Sequence, residues 1–453
     1  MQPPTDLLSE AYHVLDLNDR TAYTQPAPDL YPHQWLWDSC FIAIGLRHRD
    51  IERAMAEILS LFRGQWQNGM LPNIIFSDDP KYARDRNLWR SWINPYSPHN
   101  ISTTGITQPP VVAEAVVKIG ETLPLSERKR WYRRVYPCLV KYHSWLYEER
   151  DPHKEGLVLL IHPWEVGMDN TPPWIAELHE HQLNWWIRFI KQTRGDYLIN
   201  LVRRDTKEVP ADERFATIEA LAMFDIQRRL RRKAYDIDRI LDHSMFAIED
   251  VAFNAILIRN NQHLIAIAKT INEKLPGELT DSIKRTESAF EQLWDPLTAQ
   301  YYSRDFITHR LLSNPSVGTM LALYAGTIPK ENALSLVHQF SAKHSFGLSY
   351  PVPTVPKDSP WFSPHNYWQG PSWVNINWLI IDGLKRLGFD DQAEHLRAST
   401  LTMVSSYGCY EYFNPEDGSG LGATNFSWTA ALAADLCLAP IGSGVVKRRT
   451  VKR

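Results

Sequence analysis

Cysteine is scarce in this chain: 453 residues hold four, Cys40, Cys138, Cys409 and Cys437. They lie far apart and include no Cys-x-x-Cys pair. That excludes a disulfide framework and a thiolate zinc site, and reads as reduced thiols in a reducing compartment. Long apolar runs are also missing; none approaches the ~20 residues that cross a bilayer. The opening Met1-Gln2-Pro3-Pro4-Thr5-Asp6 has neither a basic nor an apolar stretch of the kind that directs secretion. The expected setting is the cytoplasm, with no membrane partner. Charge of one sign is not in excess either. The net charge is -3, and no basic stripe with interleaved aromatics argues for nucleic acid. The one basic run, Lys447 to Arg453, reads as a solvated tail over 441–453. The glycines of 418–422 lack the Gly-Lys-Ser/Thr of a phosphate loop, no Gly-x-Ser-x-Gly elbow is present, and His179-Glu180-His181 lacks zinc-helix spacing. No metal and no cofactor is expected.

Convincing strands are few. Short alternating runs such as Leu157–Ile161 do not form a series. Helical periodicity, by contrast, recurs. Ile51, Met55, Ile58, Leu59 and Phe62 make one apolar face. Val112 to Val117 continue it to a stop at Gly120, and Phe253 to Ile267 and Ile376 to Leu387 form further stripes. Other helices are expected near 126–149, 175–193, 214–232, 277–293, 316–326, 331–343, 390–404 and 426–438. Pro137 should kink or split the first of these. About a dozen helices with almost no sheet predict an all-α fold. No linker with composition shifts on both sides divides it, so residues 1–440 read as one domain. A charged excursion near 194–213 (Arg203, Arg204, Asp205, Lys207, Glu208, Asp212, Glu213, then Arg214) is a lid, an oligomer contact or a solvated loop. A homo-oligomer stays open.

What the chain has in abundance is aromatic residues, including 17 tryptophans, and many sit in long connections near 65–109, 161–174, 346–373 and 405–425. Disordered segments are poor in aromatics, so these loops are ordered and functional. Two carry carboxylates framed by rings: His162-Pro163-Trp164-Glu165-Val166-Gly167-Met168-Asp169-Asn170 and Tyr410-Glu411-Tyr412-Phe413. A carboxyl where water is scarce can act as an acid near neutrality. Two carboxyls of unequal pKa are what cleavage of a glycosidic bond requires. Asp169 is preferred over Glu165 because Asn170-Thr171-Pro172-Pro173-Trp174 pins the chain after it; its plain alternative is a helix cap. In Tyr31-Pro32-His33-Gln34-Trp35-Leu36-Trp37-Asp38, Asp38 either caps a helix or accepts hydrogen bonds from sugar hydroxyls, with Tyr31 and Trp35 lining the pocket. In Tyr367-Trp368-Gln369-Gly370-Pro371-Ser372-Trp373, Gly370 allows close backbone approach, and Trp368, Gln369 and Trp373 read as pocket wall and hydrogen-bonding edge. Core packing is the plain alternative for the tryptophans. His33, His162 and His365 are structural or catalytic.

The segments Trp35–Phe41, Trp164–Asp169, Tyr367–Trp378 and Glu411–Trp428, in this order, resemble those of clan-G glycoside hydrolases of family 63. Within that family the chain resembles the bacterial mannosylglycerate and glucosylglycerate hydrolases, over about residues 5–438. The resemblance implies an (α/α)6 toroid with long active-site loops at one end. It implies hydrolysis of an α-glycosidic bond with inversion, releasing sugar and glycerate. Asp169 matches the general acid and Glu411 the general base. Tyr31, Trp35, Asp38, Trp164, Gln369 and Trp373 match sugar-site positions, beside Tyr367 and Trp368. Gln108 and the Arg203–Arg204 region match the glycerate end, with Arg204 expected to meet the substrate carboxylate. The rival readings are an α-glucosidase of another small α-glucoside, a histidine-dependent sugar epimerase on a similar toroid, and a silent sugar-binding protein.

Overall fold

The computed structural model describes residues 5–28, 30–178, 183–193, 209–244 and 246–438. Arg203 and Arg204 with most of the charged excursion, the His179–His181 run and the basic tail lie outside them.

Twelve helices build the frame. They are α1 (Thr5–Asn18), α2 (Leu36–Leu46), α3 (Ile51–Arg63), α4 (Val112–Thr122), α5 (Leu125–Glu149), α6 (Val251–Ile271), α7 (Gly277–Ala289), α8 (Gly318–Ala325), α9 (Lys330–Ser341), α10 (Val374–Arg386), α11 (Asp390–Tyr407) and α12 (Ser427–Leu438). Shorter helices within the connections are named by their residues. Local signals set the boundaries. Asp50 caps α3 by accepting from the Arg53 amide at 2.9 Å, and Asp250 caps α6 through Phe253 at 2.8 Å. Asn272 closes α6 in the left-handed region.

The even-numbered helices form a closed inner ring. α2 packs on α4, α4 on α6, α6 on α8, α8 on α10, α10 on α12, and α12 back on α2. Each odd helix covers an inner one from outside, and α1 covers α12, so the two ends of the chain meet in one wall. Every residue of α2 and α8 is buried, as expected of helices apolar all round. The outer α3 shows the one-sided stripe of a surface helix. This is an (α/α)6 toroid.

Its connections are unequal. Inner-to-outer links are short: 47–50, 123–124, 272–276, 326–329 and 387–389. Short links make neighbouring helices antiparallel, so all inner helices run the same way. The long links, 19–35, 64–111, 150–250, 290–317, 342–373 and 408–426, therefore gather at one end, where the inner helices begin. Two-residue strand pairs brace them: Gln34–Trp35 with Ile74–Ile75, Leu159–Leu160 with Ile248–Glu249 and that with Arg304–Asp305, and Tyr412–Phe413 with Gly420–Leu421.

Two expectations are corrected. Pro137 does not split its helix; α5 runs unbroken from Leu125 to Glu149. Pro137 is exposed, so the carbonyl it leaves without a donor faces water. Among the described residues, the helix expected over 175–193 is instead Pro172–Glu177 and Trp185–Gln192, with Leu183 and Asn184 outside any helix.

Candidate active site

Five of the six long connections, with the first turn of α2, carry the residues singled out in the sequence. Glu411 stands at the foot of the Tyr412–Leu421 hairpin. Its amide donates to the Ala423 carbonyl at 2.8 Å, and the Ala423 amide returns to Glu411 Oε2 at 3.1 Å. Gly422, at φ +73°, makes room; a Cβ there would lie 2.8 Å from Glu411 Oε2. Tyr31 Oη donates to Glu411 Oε1 at 2.8 Å. Arg214 Nη1 lies 3.3 Å from each carboxylate oxygen. Its Nη2 donates to Tyr31 Oη at 2.8 Å, and its guanidinium sits 4.2 Å from the Tyr367 ring centroid. Glu411 and Arg214 are both buried.

Asp169 follows the short helix Pro163–Val166. It is no helix cap: Thr171 holds that position for Pro172–Glu177, and Asp169 is anchored by its carbonyl, which accepts from Trp174 Nε1 at 2.9 Å. The side chain keeps one side open to solvent, while protein crowds the rest. That burial pushes its carboxyl up to about 7, against the pull of Arg214 and with a further push from Glu411. Asp38 is buried in the first turn of α2, whose cap position is Trp35; the capping alternative for Asp38 is set aside. Burial raises its carboxyl well above the usual range, its own backbone amide opposes this, and Glu411 adds to it.

Glu165 is spoken for elsewhere. Arg150 grips it with two hydrogen bonds of 2.9 and 2.7 Å, and the amides of Thr107 and Ile161 donate to it at 3.1 and 2.7 Å. It ties three loop segments together below the surface.

The aromatic residues divide by exposure. Tyr31, Trp35 and Trp164 are half-buried. Trp368 and Trp373 stack face to face at 3.6 Å, with Tyr412 on Trp373 at 4.5 Å, and they are 1% and 0% exposed. As open pocket walls these two are corrected: their faces are used on each other, and they back the site. Gln369 is likewise committed in part. Its Nε2 donates to the Asn170 carbonyl at 2.8 Å and its Oε1 accepts from Asn366 at 2.8 Å. One N–H remains for a ligand. Gly370 meets its expectation, since a Cβ there would fall 1.9 Å from the Ser363 carbonyl oxygen. Gln108 Oε1, Trp35 Nε1 and Trp368 Nε1 are buried without a hydrogen-bond partner among the described residues, a costly state unless a ligand or water meets them.

The histidines do not assemble an acid–base pair. His33 accepts from the Ser77 amide at 3.2 Å and faces Asp85 at 3.3 Å. His162 lies between the Trp164 amide and the Met223 carbonyl, and burial lowers it to about 3. His365 is exposed. Among the described residues no group of three or more His, Cys, Asp or Glu side chains could hold a metal ion, and no helix is long and apolar enough to cross a membrane. A cleft of about 690 Å³ between α9, α11 and the 343–357 loop contains none of the residues above.

Arg214 is the residue that sequence reasoning passes over, because in the sequence it is one more charge in a polar stretch. The available signal is its neighbour Phe215, an aromatic directly after a charged run.

Comparison with known proteins shows the family. Mannosylglycerate hydrolase of Thermus thermophilus is 39% identical over 94% of this chain and 99% of its own length. Glucosylglycerate hydrolase of Mycolicibacterium hassiacum is 31% identical over 95% and 98%. The crystal structure of a family 63 mannosylglycerate hydrolase from Thermus thermophilus with Tris and D-glycerate superposes with a TM-score of 0.84, at 37% identity, covering 95% of this chain and 99% of that one. The model of the mannosylglycerate hydrolase MGH1-like glycoside hydrolase domain matches residues 31–429, and the chain belongs to that group within family 63: it is a glycoside hydrolase.

Proposed function

We propose that the enzyme cleaves the α-glycosidic bond of glucosylglycerate or mannosylglycerate with inversion, Asp169 serving as general acid and Glu411 as general base. The observation that carries this reading is the contrast between the two carboxyls. Asp169 is raised to about 7 by burial, so it holds a proton to donate at neutral pH. Glu411 is paired with Arg214, whose guanidinium faces both carboxylate oxygens and holds the group that takes a proton from water. Protonated Asp169 gives its proton to the glycosidic oxygen as the bond to the anomeric carbon breaks. Glu411 removes a proton from a water attacking that carbon from the opposite face. Tyr31, Trp35, Asp38, Gln108, Trp164, Tyr367 and Gln369 surround the substrate, with the stacked Trp368 and Trp373 backing them. Arg204 is proposed to meet the carboxylate in bidentate fashion. The reading takes 1–440 as one catalytic domain acting in the cytoplasm. The glycerate aglycone rests on what the relatives' names say of those proteins.

The test combines a substrate screen with two variants. One of the two glycosylglycerates should turn over with kcat/KM well above that of plain α-glucosides. Asp169→Asn and Glu411→Gln should each lower kcat by ~10²–10⁴ while leaving KM within a few fold. A variant that keeps near-normal kcat removes that assignment, and a preference for neutral α-glucosides removes the aglycone.

A further inference from the structure

We infer that Arg214 is a positioning residue for the reaction: it holds the Glu411 carboxylate and the Tyr31 hydroxyl in one fixed cluster beside the acid Asp169. This rests on the roles proposed above for Glu411 and Asp169.

The geometry supports it at three points. First, the cluster is closed. One guanidinium donates to Tyr31 Oη and faces both Glu411 oxygens, while Tyr31 Oη itself donates to Glu411. Losing Arg214 would free both partners at once. Second, Arg214 is held from behind. It follows the turn Ala211–Glu213. The Glu213 carbonyl accepts from Tyr412 Oη, its carboxylate accepts from the Gly422 amide at 2.7 Å, and Glu219 Oε2 accepts from the Ala216 amide at 3.0 Å. Arg214 is thus fastened to the loop that carries Glu411. Third, charges crowd here. Among the described residues, Glu411 acts electrostatically on the carboxyls of Asp38, Asp169 and Glu213, on the hydroxyls of Tyr31, Tyr367 and Tyr412, and on Arg214. Arg214 is the guanidinium that faces both Glu411 oxygens. It also draws Asp169 downward, so its removal moves the acid's limb upward.

The experiment is the pH dependence of kcat and kcat/KM for the wild type, Arg214→Gln and Arg214→Lys, with melting curves for each. Arg214→Gln should lose ~10²-fold in kcat, as expected for a misplaced catalytic group, with a smaller change in KM. The limb of its profile set by Asp169 should move to higher pH by about one unit or more, the scale set by one close opposite charge. Arg214→Lys keeps the charge but not the fork, so it should keep that limb near the wild type and recover only part of kcat. An unmoved profile with near-normal kcat in either folded variant would overturn the inference. So would a loss confined to KM, which would make Arg214 a substrate ligand. If Arg214→Gln fails to fold, Arg214→Lys decides by the same criteria. Glu411→Gln is the control: if it stays active, the underlying assignment has failed, whereas an inactive Glu411→Gln beside an unmoved Arg214→Gln defeats the inference alone.

Discussion

Glu165 and Asp169 lie four residues apart in one loop and meet opposite fates. Glu165 receives a bidentate arginine and two backbone amides. Among the described residues no such set surrounds the Asp169 carboxyl, and burial raises it to about 7. Two outcomes follow. Glu165→Gln should destabilise the fold by about 3–5 kcal/mol, because Arg150 is left buried without its charge partner; a denaturation curve reads this. For the wild type, kcat/KM should fall about tenfold per pH unit once pH passes the Asp169 value near 7, since only the protonated acid donates. A flat profile up to pH 9 would contradict that value. Both loops were legible in the sequence as ring-framed carboxylates. The choice between Glu165 and Asp169 rested there on the Pro172-Pro173 stop. Its physical reason, Arg150, sits in another element, where periodicity and spacing say nothing about partners. Arg214 was hidden for the same cause: a charge that pairs inside and a charge that faces water look alike in a sequence.

At the scale of elements, apolar periodicity found the stripes of α3, α4, α6 and α10 because burial on a curved wall repeats every turn. α1 and the helix Ala83–Trp89 escaped notice, being short of a regular stripe. Contacts between helices were not legible, and one of them fixes how closely the ring can shut. Gly45 in α2 faces α12, and a Cβ there would stand 2.4 Å from the Ala431 carbonyl oxygen. Alanine in place of a mid-helix glycine ordinarily stabilises by ~0.5–1 kcal/mol. Here the sign should reverse. Gly45→Ala should cost about 1–3 kcal/mol through overpacking, read as a lower melting temperature; a raised one would mean the α2–α12 seam has slack.

Across the whole molecule, the long connections with the candidate site gather at one end of the ring, and a second polar network ties the inner helices together. Glu114 of α4 meets His263 of α6 at 2.5 Å and Tyr324 of α8 at 2.7 Å, with Lys118 at 3.6 Å and Arg259 at 3.8 Å. Asp435 of α12 binds Trp378 of α10 at 2.8 Å, and Arg47 and His48 beyond α2 at 2.7 Å each. Burial alone would raise Glu114, but His263, Lys118 and Arg259 outweigh it and hold its carboxyl well below the usual range. A depressed carboxyl stabilises the fold above its ordinary pKa, near 4.5, and that contribution fades as pH falls. Glu114→Gln should therefore lower the melting temperature strongly at pH 7, with the loss beginning to shrink below pH 4.5 and vanishing only as pH falls through the depressed value. A loss that stayed constant throughout that fall would show that the charge is not what holds the ring.

In the function proposed above, all of this serves one chemical event at the open end, a water entering on the face of the sugar opposite the departing aglycone. Anomer-resolved proton NMR during the first minutes of turnover of an α-linked glycosylglycerate observes it directly. The account requires the free sugar to appear first as the β anomer and then to equilibrate. Sugar released first as the α anomer would contradict it, because Glu411 would then have attacked the ring itself.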